Sequence, residues 1–176
     1  MVNLKQEIEQ ERPFSSKEEE VFLNLLRSSD CLNRAFQRRT RGYGVTSTQY
    51  NVLRILRGAQ PEGLTCASIG RRMITAEPDI TRLLNRLKAQ RLVRQHRDRH
   101  DRRVVWTQIT ETGLELLASM DPVIERAPAD MLGHMRPQEL SELSRLLELA
   151  RKEDGTAAVE IGNGALHPSA VEEVPA

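Results

Sequence analysis

Residues 64–109, LTCASIGRRMITAEPDITRLLNRLKAQRLVRQHRDRHDRRVVWTQI, decide the fold. Leu64-Thr65 leads into a short helical pattern over residues 67–73, and Ile74-Thr75-Ala76 breaks it. Pro78 then suits the first turn of a second helix, where its missing N–H is not needed. In that helix Ile80, Leu83, Leu84 and Leu87 form one apolar stripe, while Asp79, Arg82, Asn85, Arg86 and Lys88 fall largely on the other side. Two helices joined by a three- or four-residue turn, the second basic on its outer face, make a helix-turn-helix. Beyond Leu92 the period changes from helical to alternating, so residues 92–97 and 104–109 read as two short strands. Between them lies DRHDRR, residues 98–103, too charged to be buried. A charged hairpin directly after such a helix is a wing. The recognition element is placed at about residues 76–90 and the wing at 98–103.

The flanks read as helices. Toward the N-terminus, Phe22, Leu25, Leu26, Ser29, Leu32 and Phe36 recur at helical spacing, and Gly42 and Gly44 stop the pattern near Arg41. Thr46 caps the next helix, with Gln49 three residues on as its capping-box partner, and that helix carries Tyr50, Leu53, Ile55 and Leu56. After the wing, Thr110 with Glu111 starts a long helix bearing Leu114, Leu117, Met120 and Ile124. Pro137 with Glu139 starts another, bearing Leu140, Leu143, Leu146 and Leu147. The expected fold is mainly α with a small β-hairpin wing. Residues 1–16 form a polar arm, and 17–152 a winged helix-turn-helix domain whose DNA-binding core spans about 46–109. Dimerisation helices are expected at about 17–41 and 110–152, and 153–176 reads as a disordered acidic tail.

Composition agrees with a helical protein. Of 176 residues, 29% are charged and only 3% aromatic, which disfavours sandwiches and barrels. No apolar run approaches the roughly 20 residues of a membrane span, and MVNLKQEIEQERPF lacks the apolar centre of a signal peptide, so a cytoplasmic protein is expected. The net charge of +1 conceals an asymmetry: residues 71–103 hold eleven Arg and Lys against four acids, whereas 153–176 hold five acids and no Arg or Lys. A basic segment in a near-neutral protein points to a polyanionic partner.

Double-stranded DNA suits that segment physically. The major groove admits a helix, Arg82 and Arg86 can donate bidentately to guanine, and Asn85 can do the same to adenine. Arg71 and Arg72, with Arg38, Arg39 and Arg41, are better placed for phosphates. Arginines on the wing suit the negative potential of a narrow minor groove. Enzyme chemistry has no visible basis, since neither a Gly-rich phosphate loop nor a nucleophile elbow occurs. His96, His100 and His134 lack companion ligands at metal-binding spacing, and no cofactor is expected. Cys31 and Cys66 fit a reducing compartment, and Cys31, in mid-helix, is expected to be a buried structural thiol rather than a redox sensor.

Residues 45–53 (VTSTQYNVL), 79–87 (DITRLLNRL), 98–103 (DRHDRR) and 109–113 (ITETG) stand in an order that resembles the MarR (multiple antibiotic resistance regulator) family, over roughly 17–152. The resemblance implies a dimer whose outer helices interleave and whose two winged domains straddle one duplex at a near-palindromic site. It implies a transcription regulator, more often a repressor, released by a small-molecule effector. By position, Thr81, Arg82 and Arg86 would be recognition-helix contacts, Arg103 the wing arginine in the minor groove, Asp101 its buttress, and Arg102 a backbone contact. The implied effector cleft would be lined by Tyr50 and Leu53. One departure stands out: Glu77-Pro78-Asp79 occupies the start of the recognition helix, where many members carry small polar residues. Two other readings stay open, a winged-helix adaptor for an acidic protein and a sequence-tolerant architectural DNA binder.

Overall fold

Side-chain oxygens set where the helices begin, each accepting one of the N–H groups that a first helical turn leaves free. In the computed structural model, which describes residues 3–151, Ser16 caps α2 (Lys17–Thr40) and Thr46 caps α3 (Ser47–Arg57). Thr65 caps α4 (Cys66–Arg72), Asp79 caps α5 (Ile80–Ala89) and Thr110 caps α6 (Glu111–Leu132). At α3 the capping box is complete: Gln49 N–H donates to Thr46 Oγ1 at 3.2 Å, and Thr46 N–H to Gln49 Oε1 at 2.9 Å. Thr46→Ala removes the hydroxyl acceptor and is expected to cost about 1 kcal/mol, read as a lower urea midpoint at unchanged slope.

Three strands complete the winged unit: β1 (Leu64–Thr65), β2 (Val93–Arg97) and β3 (Val105–Ile109), antiparallel and in the order β1-β3-β2. Leu64 lies opposite Thr107, and Val93 opposite Ile109, so β3 carries the sheet and the hairpin opens toward residues 98–104. Beneath it Val52, Leu53 and Leu56 of α3, Ile69 of α4, Leu84 and Leu87 of α5, and Leu117 and Met120 of α6 form one buried cluster. That cluster fixes α5 by its inner stripe and leaves its outer face in water. Gly113, in the first turn of α6, sits where a Cβ would meet Leu92 O at 2.4 Å, so a side chain there would push α6 off the end of the sheet.

Several expectations need correcting. The recognition helix starts at Ile80, not near 76, because the Asp79 carboxylate takes Arg82 N–H at 2.9 Å while Asp79 itself stays non-helical (φ −122°, ψ 65°). Pro78 thus precedes the helix instead of occupying its first turn. Within the polar arm, Asn3 and Gln6 form a capping box for a one-turn helix, α1 (Leu4–Glu7), and Leu4 is buried. Cys31 is exposed, not buried, because α2 buries only Ala35 and Thr40. Val21, Phe22 and Leu26 of the same helix also remain exposed.

The chain divides into two units after His134. The second contains α7 (Pro137–Ala150), with proline at its first position and the Glu139 carboxylate accepting Arg136 N–H at 2.8 Å. The expected acidic tail at 153–176 lies outside the described residues. Among the described residues no helix is long and apolar enough to cross a membrane.

Candidate nucleic-acid interface

Burial of Leu83, Leu84 and Leu87 turns Thr81, Arg82, Asn85 and Arg86 outward, and all four are exposed. Arg71 and Arg72 close α4 and are exposed too, with Arg71 Nη2 donating to Ser68 Oγ at 3.1 Å. The wing arginines Arg102 and Arg103 are likewise in water. Thr81, Asn85 and Arg103 face one another across a cleft of about 510 Å³ between α5 and the wing, floored by Gln95 and Thr107.

Among the described residues, ion pairs are found on other parts of the chain and not on this face. Arg27, Arg34, Arg39, Arg57, Arg136 and Arg145 each lie within 4 Å of a carboxylate. Among the described residues no carboxylate pairs with Arg71, Arg72, Arg82, Arg86, Arg102 or Arg103. Intrahelical pairing therefore does not account for the basic residues of α5. Arg39 lies 3.3 Å from Asp130, while Arg38 and Arg41 line a groove with Thr46 and Ser47.

The wing is organised by a residue that sequence reading overlooked. Asp98 Oδ1 accepts the N–H groups of His100 at 2.8 Å and Asp101 at 3.1 Å, and Oδ2 accepts Trp106 Nε1–H at 3.0 Å. These bonds, the Asp101 amide first, then the His100 amide and the Trp106 indole, hold the Asp98 carboxyl below its usual range. Asp101 meets Arg103 at the main chain, accepting its N–H at 2.9 Å. Arg97 Nη1 donates to Arg102 O at 3.0 Å and closes the loop. The available signal was an Asx turn, aspartate two residues before a backbone N–H it can bind, in a loop with no glycine to turn it.

Because the folded carboxyl is depressed, charge-dependent wing order is present above the usual carboxylate pKa of about 3.9 and is lost as pH falls through the lower folded value. Trp106 is the single tryptophan and reports this directly. Its emission is expected to stay constant from neutral pH through about pH 4 and to change below that. In Asp98→Asn the acid transition should be absent.

Tyr50, Asn51 and Leu53 of α3 are buried. Leu53 has no exposed surface and Tyr50 is 8% exposed, and both belong to the core cluster. Tyr50 packs against Phe36 with ring centroids 5.7 Å apart, and burial pushes its hydroxyl pKa up. Asn51, not singled out in the sequence, is buried on α3 and accepts Ile74 N–H at 3.0 Å, tying α3 to the turn before α5. Among the described residues no group of His, Cys, Asp or Glu is arranged to hold a metal.

Two packed helices, the second with its outer face in water, followed by a wing whose arginines pair with no carboxylate among the described residues, define a winged helix-turn-helix DNA-binding protein. Residues 43–104 match the sequence profile of the MarR family. A MarR transcription factor of Planctomyces limnophilus is 37% identical, with a TM-score of 0.60, and the match covers 78% of this chain and 99% of that one. MhqR of Bacillus subtilis, an HTH-type transcriptional regulator, is 26% identical over 136 residues, covering 76% of this chain and 91% of the relative. BpsR of Bordetella bronchiseptica, whose DNA binding is regulated by 6-hydroxynicotinic acid, is 26% identical with a TM-score of 0.66, covering 75% and 98%. The chain belongs to the MarR family of DNA-binding transcriptional regulators, and it is a regulator, not an enzyme.

Proposed function

We propose that this chain is a homodimeric repressor that reads a near-palindromic operator and is released from it by a small molecule. The observation that carries this reading is a set of exposed arginines with no carboxylate partner among the described residues, Arg82 and Arg86 on α5 and Arg102 and Arg103 on the wing, beside a cleft lined by Thr81, Asn85 and Arg103. Thr81, Arg82, Asn85 and Arg86 read base edges in the major groove. Arg103 enters the adjacent minor groove, with its backbone fixed by Asp101, while Arg102, Arg71 and Arg72 hold phosphates. The reading core spans about 46–109 and the dimerisation helices lie at about 17–41 and 110–152. Support for dimerisation comes from Val21, Phe22 and Leu26 on α2 and Val123 on α6, large apolar side chains left in water. A two-fold pair places its reading helices about 34–36 Å apart, one turn of DNA, which is why the operator is near-palindromic.

The effector acts by binding the two dimer conformations with different affinity, so that both helices no longer fit successive grooves. The regulation of BpsR by 6-hydroxynicotinic acid supports a small aromatic acid or phenol as its class. The test is fluorescence anisotropy of the full chain on the intergenic DNA beside its own gene, at two salt concentrations, with random DNA as competitor and Arg103→Ala as control. Tight binding that weakens steeply with salt, resists random DNA and fails with Arg103→Ala supports the reading. Binding indifferent to salt and to Arg103 overturns it and favours an adaptor for an acidic protein.

A further inference from the structure

Ile74 is the most exposed of the large hydrophobic residues in the described chain, at 80%. It stands two residues after α4 and six before α5, inside the turn of the helix-turn-helix. Arg71 and Arg72 precede it in the chain and Arg82 follows, all three exposed. An exposed isoleucine in a turn is ordinarily free to move with the loop, but here the backbone is held. Ile74 N–H donates to Asn51 Oδ1 at 3.0 Å, and Asn51 is itself 7% exposed on α3. A β-branched side chain has few rotamers, so a fixed backbone presents a stiff apolar knob.

The chemistry of the turn narrows what that knob can meet. Glu77 and Asp79 follow within five residues, and both carboxylates are used locally: Asp79 caps α5, and Glu77 Oε1 accepts Asp79 N–H at 3.4 Å. Two carboxylates disfavour close approach to phosphate oxygens. In the major groove the features that are not acceptors are the amino groups of adenine and cytosine and the 5-methyl of thymine. Only the methyl suits an isoleucine.

We propose that Ile74 is a specificity-determining residue that packs on the 5-methyl of one thymine in each half-site, with Asn51 as the residue that positions it. This rests on the DNA-reading function proposed above. It adds a hydrophobic contact, outside the recognition helix, to a face whose other proposed base contacts are polar side chains.

The test uses the full chain and an operator duplex selected by it from a random pool, with each symmetry-related thymine pair replaced in turn by deoxyuridine, which lacks the methyl. One pair should stand out, losing about fourfold in affinity per half-site and about fifteenfold for both, the value of one buried methyl at each. Ile74→Ala should lose about the same on the thymine duplex and lose nothing more when that pair becomes deoxyuridine. Ile74→Val should retain part of the methyl sensitivity. A thermal melt identical to that of the unsubstituted chain is expected for both variants, since the side chain is in water. No sensitive pair, or a sensitive pair that Ile74→Ala leaves equally sensitive, overturns the proposal while leaving DNA reading intact. Equal losses of Ile74→Ala on operator and random duplexes also overturn it, because the contact is then to the backbone. Failure of the unsubstituted chain to select any duplex defeats the DNA-reading function itself, and this inference with it.

Discussion

Arg82→Ala is expected to weaken operator binding by about 2–6 kcal/mol, roughly 30-fold to 10⁴-fold, with no loss of folding stability. The magnitude follows from symmetry: an arginine bidentate to guanine contributes about 1–3 kcal/mol, and a dimer loses two at once. Stability is spared because Arg82 is exposed, no carboxylate among the described residues pairs with it, and alanine is at least as good a helix former. The cap that starts α5 uses the Arg82 backbone N–H, which alanine keeps. Anisotropy on operator and on random DNA decides the outcome. A loss confined to the operator marks a base contact, and specificity relaxes at one position per half-site. Arg71→Ala, at the end of α4, is the contrasting variant. As a phosphate contact it should weaken all duplexes alike and flatten the salt dependence by about one counterion per subunit.

Gly63→Ala should have the largest effect on the fold. Gly63 has φ +80°, a conformation that costs other residues about 1–2 kcal/mol. Space is also lacking, since a Cβ there would lie 2.3 Å from Thr107 O and 2.6 Å from Gln108 Cγ. The obstruction is backbone, so relief requires β1 and β3 to separate, and overpacking of this kind typically costs about 1–3 kcal/mol. Together the two effects come to about 2–5 kcal/mol, a large part of the stability of an ordinary domain. The same loop is tied to β3 by Gln108 Nε2, which donates to Pro61 O at 2.6 Å and to Glu62 O at 3.2 Å. Urea unfolding is expected to show a much lower midpoint for Gly63→Ala, while Gly42→Ala, with nothing within 4 Å of its Cβ, serves as a near-neutral control. DNA binding should fall with stability in Gly63→Ala although no reading residue has changed.

The start of α5 shows how far sequence reading carries. Proline at a first helical turn and aspartate as a cap are both sound local signals, and at Pro78-Asp79 they compete. The aspartate prevails because its carboxylate reaches the Arg82 N–H, a matter of geometry over three residues. Asp98 was legible only as part of a charged loop, because one of its three partners, Trp106, is on the opposite strand of the hairpin. Asn51 was not legible at all: it and Ile74 are separated by 23 residues and meet only after α4 packs beside α3. Tyr50 and Leu53 carried the right periodicity for a helix, but periodicity does not distinguish a residue facing a cleft from one facing the core.

What the amino-acid order determined by itself was local and periodic. The capping residues Thr46 and Thr110 placed two of the flanking helices, the stripe Ile80, Leu83, Leu84, Leu87 oriented the recognition helix, and the run of charge at 98–103 marked the wing. Those signals lie within one or two helical turns, where the covalent chain already brings the interacting groups together. The tertiary structure alone decided which arginines lack a carboxylate partner, which thiol is exposed, and which turn residue is held in place. Each of these depends on groups brought together by burial of the shared core, at separations over which the chain imposes no geometry of its own.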